Sequence, residues 1–172
     1  MRTLSRLGIS AAAITLVNFS AMTLAVETAV AAPDATGPTT VDLRGALRNC
    51  DFSAVNNAPV VPFVTMGSGV ALISRSGSSA VAEVHITNTA EPGMHFDVGL
   101  IGAPRPSSAP CGPGTPGTAW TGLDLDGGGQ GTATVQLPVS GGTTGVWVLV
   151  QRPNPNSQAP AEFFTSGFLA QI

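Results

Sequence analysis

Strict alternation of apolar and polar residues is the feature that most limits what this chain folds into. Val41, Leu43 and Leu47 alternate with Asp42, Arg44 and Arg48. Ala82, Val84 and Ile86 alternate with Glu83, His85 and Thr87, and Phe96, Val98 and Leu100 with His95, Asp97 and Gly99. Ala133, Val135 and Leu137 do the same with Thr132, Thr134 and Gln136. A period of two puts the two sets on opposite faces of a strand, one buried and one wet, and no segment after residue 40 sustains the 3.6-residue stripe of a helix. Residues 145–150 are apolar on both faces and read as a central strand covered on each side. Further strands are expected near 62–66, 69–75, 119–125 and 163–170. Eight or nine short strands punctuated by Gly, Pro, Asn and Ser predict an all-β fold. The expected architecture is an antiparallel β-sandwich of immunoglobulin-like or Greek-key order.

The N-terminus carries a different signal. Arg2 and Arg6 precede a mostly apolar stretch, 7–26, and Ala29-Val30-Ala31 supplies small residues at −3 and −1 of a signal-peptidase site. Polar interruptions such as Asn18 separate it from a membrane anchor, and no Cys follows closely enough for a lipid anchor. Residues 1–31 therefore read as a signal peptide, 32–40 as a flexible arm and 41–172 as a single β-sandwich domain. The expected location is secreted or at the cell envelope, with no membrane span after signal removal.

Export sets the reading of charge and cysteine. Only 10% of the chain is charged, and all seven basic residues are Arg. Cleavage leaves five Arg against nine carboxylates, a net charge of −4, with no basic patch for nucleic acid. Cys50 and Cys111 are the only cysteines, so in an oxidising compartment one pairing is possible. Closing a loop of that length stabilises a fold by about 4 kcal/mol on the chain-entropy model.

Four constellations bear on chemistry. The stretch 102–117 holds five Pro and four Gly with Cys111 inside it. Pro cannot donate to a ladder, so the stretch is a surface excursion, tethered by its cysteine, with Arg105 and Trp120 as candidate binding residues. The 152–160 segment is a second Pro/Asn-rich loop. A hairpin pairing residues whose numbers sum to 180 would bring Glu83, His85, His95 and Asp97 onto one exposed patch, a donor set suited to zinc or copper. Against it stands the plainer reading of a solvated strand face. Asp124-Leu125-Asp126-Gly127 resembles the start of a calcium loop, but Gly128 and Val135 occupy positions that need oxygen ligands, so 127–131 reads as a hairpin turn.

Enzyme signatures are sparse. No G-x-S-x-G elbow occurs, and no pair among the nine acids stands out for a carboxylate-dependent hydrolase. Trp147 lies in the most apolar strand and reads as core, and Phe163, Phe164 and Phe168 read as residues that close it. The sequence thus predicts no enzymatic activity and no cofactor. Its partner is an unidentified protein or envelope ligand, and the protein itself is a monomer or homodimer. A metal-binding secreted protein and a hydrolase are the alternatives.

The A-V-A signal ending, the Arg-only basic set and the Ala/Gly/Pro/Thr-rich strands resemble small exported β-sandwich proteins of mycobacteria and related high-GC actinobacteria, many without an assigned activity. G-S-G-V-A-L (67–72), H-F-D-V-G-L (95–100), G-G-G-Q-G-T-A-T-V (127–135) and V-W-V-L-V (146–150) also resemble secreted sandwiches related to copper–zinc superoxide dismutase. That family uses several metal histidines, including an H-x-H pair. This chain has two His and no H-x-H, so the resemblance implies a fold and no dismutase activity.

Overall fold

The computed structural model describes residues 37–55, 67–157 and 159–172. The segment read as a signal peptide, most of the expected arm and the strand expected at 62–66 lie outside them. The remaining alternating segments supply β1 (Thr39–Arg44), β2 (Ser68–Ser76), β3 (Ser79–Thr87), β4 (His95–Ala103), β5 (Thr118–Asp124), β6 (Gln130–Pro138) and β7 (Gly145–Arg152), but β1 stops short of Leu47 and Arg48, which the alternation had included. The last expected strand divides into β8 (Glu162–Ser166) and β9 (Ala170–Gln171). The break falls at Gly167, whose N–H leaves the ladder to bond Asp42 O at 3.0 Å while its carbonyl accepts from Arg48. Thr39 and Thr40, placed in the arm by the sequence, pair with Ile73 and Leu72 as part of β1.

Every strand pair is antiparallel, and the hydrogen-bonded order is β5-β4-β7-β8-β1-β2-β3-β6, with β9 on the end of β7. The two ends of this path, β5 and β6, are joined by the turn after Asp124 and lie side by side, so the sheet is nearly closed into a barrel. Asp126 shapes that turn. Its Oδ1 accepts the N–H groups of Gly128 and Gln130, each at 2.8 Å, and Gly129 takes φ +74°. The carboxylate that looked like a calcium ligand is the brace of the turn between β5 and β6, which are not laddered to each other.

Inside, the apolar half of each alternation meets: Val41, Ile73, Val84, Ile86, Phe96, Leu100, Val135, Val148 and Phe164 belong to one buried cluster. Phe96 and Phe164 pack at 6.2 Å between ring centroids. As expected, β7 is covered on both sides. Val146, Val148 and Val150 face the interior cluster, while Trp147 on the outer side is buried too.

Candidate functional site

The cover over Trp147 comes from the 46–55 segment. A bridge between Arg48 and Ala54 folds it into a small clip, with Phe52 at φ 71° turning its ring onto Trp147 at 5.5 Å. Arg48 stacks over Phe52, 3.9 Å from the ring centroid, and donates to Phe52 O, Ser166 O and Gly167 O. At the tip, the Asp51 carboxylate accepts the Ser53 hydroxyl at 2.6 Å, which holds its pKa below the usual aspartate value. Cys50 on this clip is bonded to Cys111, so the expected disulfide is present, with the two Cα atoms 5.5 Å apart.

That bond anchors the Pro/Gly loop, which is organised around the two residues singled out from sequence. The Arg105 guanidinium donates to Pro110 O at 2.7 Å, Pro116 O at 3.0 Å and Gly117 O at 3.3 Å. Trp120 Nε1 donates to Cys111 O at 3.1 Å, and its ring lies so close over Gly99 that a Cβ there would sit 2.7 Å from it. Both residues stand beside the loop as expected, but the two terminal guanidinium nitrogens of Arg105 and the indole N–H of Trp120 are turned onto its carbonyls, while Arg105 Nε is buried without a hydrogen-bond partner. What they leave outward is a rigid rim of Pro104, Pro106, Ser107, Ser108, Pro110, Pro113 and Pro116.

The proposed histidine patch does not assemble. It required β3 and β4 to form a hairpin, whereas β3 pairs with β2 and β6, and β4 pairs with β5 and β7. The connection between them crosses the barrel instead of turning back, so the face-sharing argument holds within each strand and fails between them. His85 Nε2 meets Glu83 at 3.0 Å, and its Nδ1 meets Thr132 Oγ1 at 3.0 Å. His95 Nδ1 meets Asp124 at 2.6 Å and its Nε2 lies 3.5 Å from Asp97. The hydrogen bond to Asp124 raises the His95 pKa above 6.5, with the charge of Asp97 adding to it. Two carboxylates at opposite ends of one ring cannot converge on an ion that the ring also binds. Among the described residues, no group of three or more His, Cys, Asp or Glu is placed to hold a metal.

The Thr132–His85–Glu83 chain has the residue types of an activated hydroxyl. It lies on the exposed sheet, and β3 is laddered on both sides, so the backbone N–H groups around His85 are not available as oxyanion donors. An open depression of about 240 Å³ lined by Leu72, Val81, Glu83 and Thr134 lies beside Glu83, and a second of similar volume is lined by Thr39, Ile73, Arg75 and Ile172.

Sequence reasoning missed one cluster. Asn88, Arg152 and Glu162 continue the inward parity of β3, β7 and β8 beyond their apolar cores, so they meet at one mouth of the barrel. Asn88 Nδ2 donates to Glu162 at 3.2 and 3.4 Å, and Arg152 lies 3.9 Å from Glu162 and 3.3 Å from Glu91. Burial, reinforced by the neighbouring Glu91 charge and opposed by Arg152, raises the Glu162 pKa. Glu162 is only 6% exposed, while the Glu91 side chain is 34% exposed. The signal was present: a Glu two residues before Phe164 sits in register with the core.

No family model, no curated protein and no solved structure matches this chain.

Proposed function

We propose that this chain is an exported, non-enzymatic protein with a binding or structural role at the cell envelope or in the medium, of the type found in mycobacteria and related actinobacteria. The observation that carries the reading is the disulfide-anchored Pro/Gly loop. Five prolines fix its backbone, Arg105 gathers three of its carbonyls, and Cys111 ties it to the clip. A loop ordered before docking loses little conformational entropy on binding, which favours recognition of a protein or envelope ligand by its outer rim. A disulfide closing 61 residues also suits an oxidising compartment.

The finer architecture is part of the same proposal. Strands β4, β5 and β6 follow one another, and β3 lies beside β6, which supports a Greek-key sandwich flattened from the barrel.

The test begins with expression of the full chain in an actinobacterial host. Cleavage after Ala31 and recovery from envelope or medium are expected; an intact N-terminus in the cytosol overturns export. Envelope fractions are then titrated with the purified protein and with S107R/S108R, which changes the rim and leaves the Arg105 network alone. Lost retention of the variant is expected, and equal retention removes the loop from the binding surface.

A further inference from the structure

The barrel mouth joins the 88–91 connection after β3 to the β7–β8 ladder, in which Arg152 at the end of β7 pairs with Glu162 at the start of β8. Asn88 is the hub. Its own N–H bonds Gly129 O at 2.7 Å, its Oδ1 accepts the Ala90 N–H at 3.2 Å and its carbonyl accepts the Glu91 N–H at 3.3 Å. It is 1% exposed and closely packed, since a Cβ on Gly67 would come within 2.9 Å of its side chain and one on Gly129 within contact of its carbonyl. Its remaining donor group is turned onto Glu162. Arg152, 23% exposed at the side chain, is the one cation among the described residues that faces this group, and it lies nearer to Glu91 than to Glu162.

We propose that Asn88, Glu91, Arg152 and Glu162 form an acid-tightened latch, in which Glu162 takes up one proton and donates it in a hydrogen bond to the Glu91 carboxylate. Proton uptake converts two facing carboxylates into a donor and an acceptor. Asn88 still donates to the Glu162 carbonyl oxygen, and Arg152 then pairs with the single remaining charge on Glu91. When both glutamates are ionised, one cation at 3.3 and 3.9 Å serves two anions, and the buried one is poorly solvated. Glu91 from the 88–91 connection and Arg152 from β7 are the charged groups that face Glu162; Asn88 faces it as a neutral donor. An exported protein carrying this latch is held more firmly at that mouth in mildly acidic surroundings than in neutral ones.

The direction follows from linkage. Glu162 has its folded pKa raised above the carboxylate value of 4.5, so its contribution is fully present below that value. It is lost as pH rises through the folded pKa. Opening of the latch returns Glu162 to solvent, so protection of nearby amides grows by up to about tenfold for each unit separating the closed and open pKa values.

The experiment is amide hydrogen exchange by NMR on the intact, oxidised protein, with rates corrected for the intrinsic effect of pH. The reporters are the Asn88, Ala90, Glu91 and Ala161 amides, and the Glu162 side-chain carboxyl is titrated by carbon-13 shift in parallel. Wild type is expected to gain protection at these amides as pH falls from neutral towards 4.5. E162Q, which mimics the protonated carboxyl, is expected to be protected throughout and flat with pH. E91Q keeps the fold at a half-exposed position and is expected to move the midpoint to lower pH. H95Q, altering a titrating group on β4, is expected to leave the response intact. Unchanged wild-type protection across the range, or an E91Q midpoint identical to wild type, overturns the latch.

Discussion

The outer face of β4, β7 and β8 and the outer face of β2, β3 and β6 begin from the same two-residue alternation and end in different environments. On the first, Ile101, Trp147, Phe163 and Thr165 all point away from the barrel and are all buried. The clip 46–55 lies over them, held by Thr165 Oγ1 donating to Ala46 O, by Arg48 and by Cys50. On the second, Val70, Leu72 and Val81 are half-buried among Glu83, His85, Thr132, Thr134 and Gln136, with no such clip described over them. Apolar character alone does not separate the two, since both carry aliphatic residues. What separates them is a segment distant in sequence, fastened across one face by a covalent bond.

The largest expected break in this comparison is Trp147→Ala. It removes a fully buried ring that supports Phe52, and denaturant unfolding should show a loss of about 3–5 kcal/mol. Replacing Cys50 and Cys111 together by Ala opens the 61-residue loop and should cost about 4 kcal/mol. It should also raise Trp147 accessibility to a fluorescence quencher, while amides of β2 and β3 stay protected. An unaltered Trp147 signal would mean the clip stays down without its bond. Gly99→Ala is smaller: the added methyl meets the Trp120 ring at 2.7 Å and should cost about 1–3 kcal/mol while loosening the Cys111 contact.

The histidines supply the smallest effects and sharpen the contrast between specific and generic surface. His95 has a raised pKa, so its pairing with Asp124 stabilises fully below pH 6.5 and is lost as pH rises through the folded pKa. Its side chain is 52% exposed, which keeps the effect below about 1 kcal/mol, and H95Q should abolish that pH dependence in thermal unfolding. His85→Ala on the open face should change stability by less than about 0.5 kcal/mol. A drop several times larger would mean that this face is covered in the working protein.

Strands were the most legible part of the molecule because alternation is a local property. Val84 faces inward and His85 outward whatever β3 pairs with. Pairing is not local, and there the reading of Glu83, His85, His95 and Asp97 failed: the short 88–92 stretch looked like a hairpin loop, but its Asn88 is committed to Gly129 and Glu162. The same reason hid the mouth cluster, since Glu91, Arg152 and Glu162 are neighbours only after β3, β7 and β8 have been placed. Arg105 and Trp120 were correctly located by their closeness to the Pro/Gly stretch, yet the direction of their polar atoms depended on where Cys111 was pinned.

By itself, the sequence determined roughly where the described strands lie, which side of each is apolar and which two cysteines had to meet. Those follow from backbone stereochemistry and from the small number of thiols. Only the tertiary structure decided that the strands close around one core in the order β5-β4-β7-β8-β1-β2-β3-β6, and that one outer face is roofed. It also decided that two glutamates share a buried mouth. The energies that choose among strand orders come from contacts between residues far apart in the chain, and a local pattern carries no record of them.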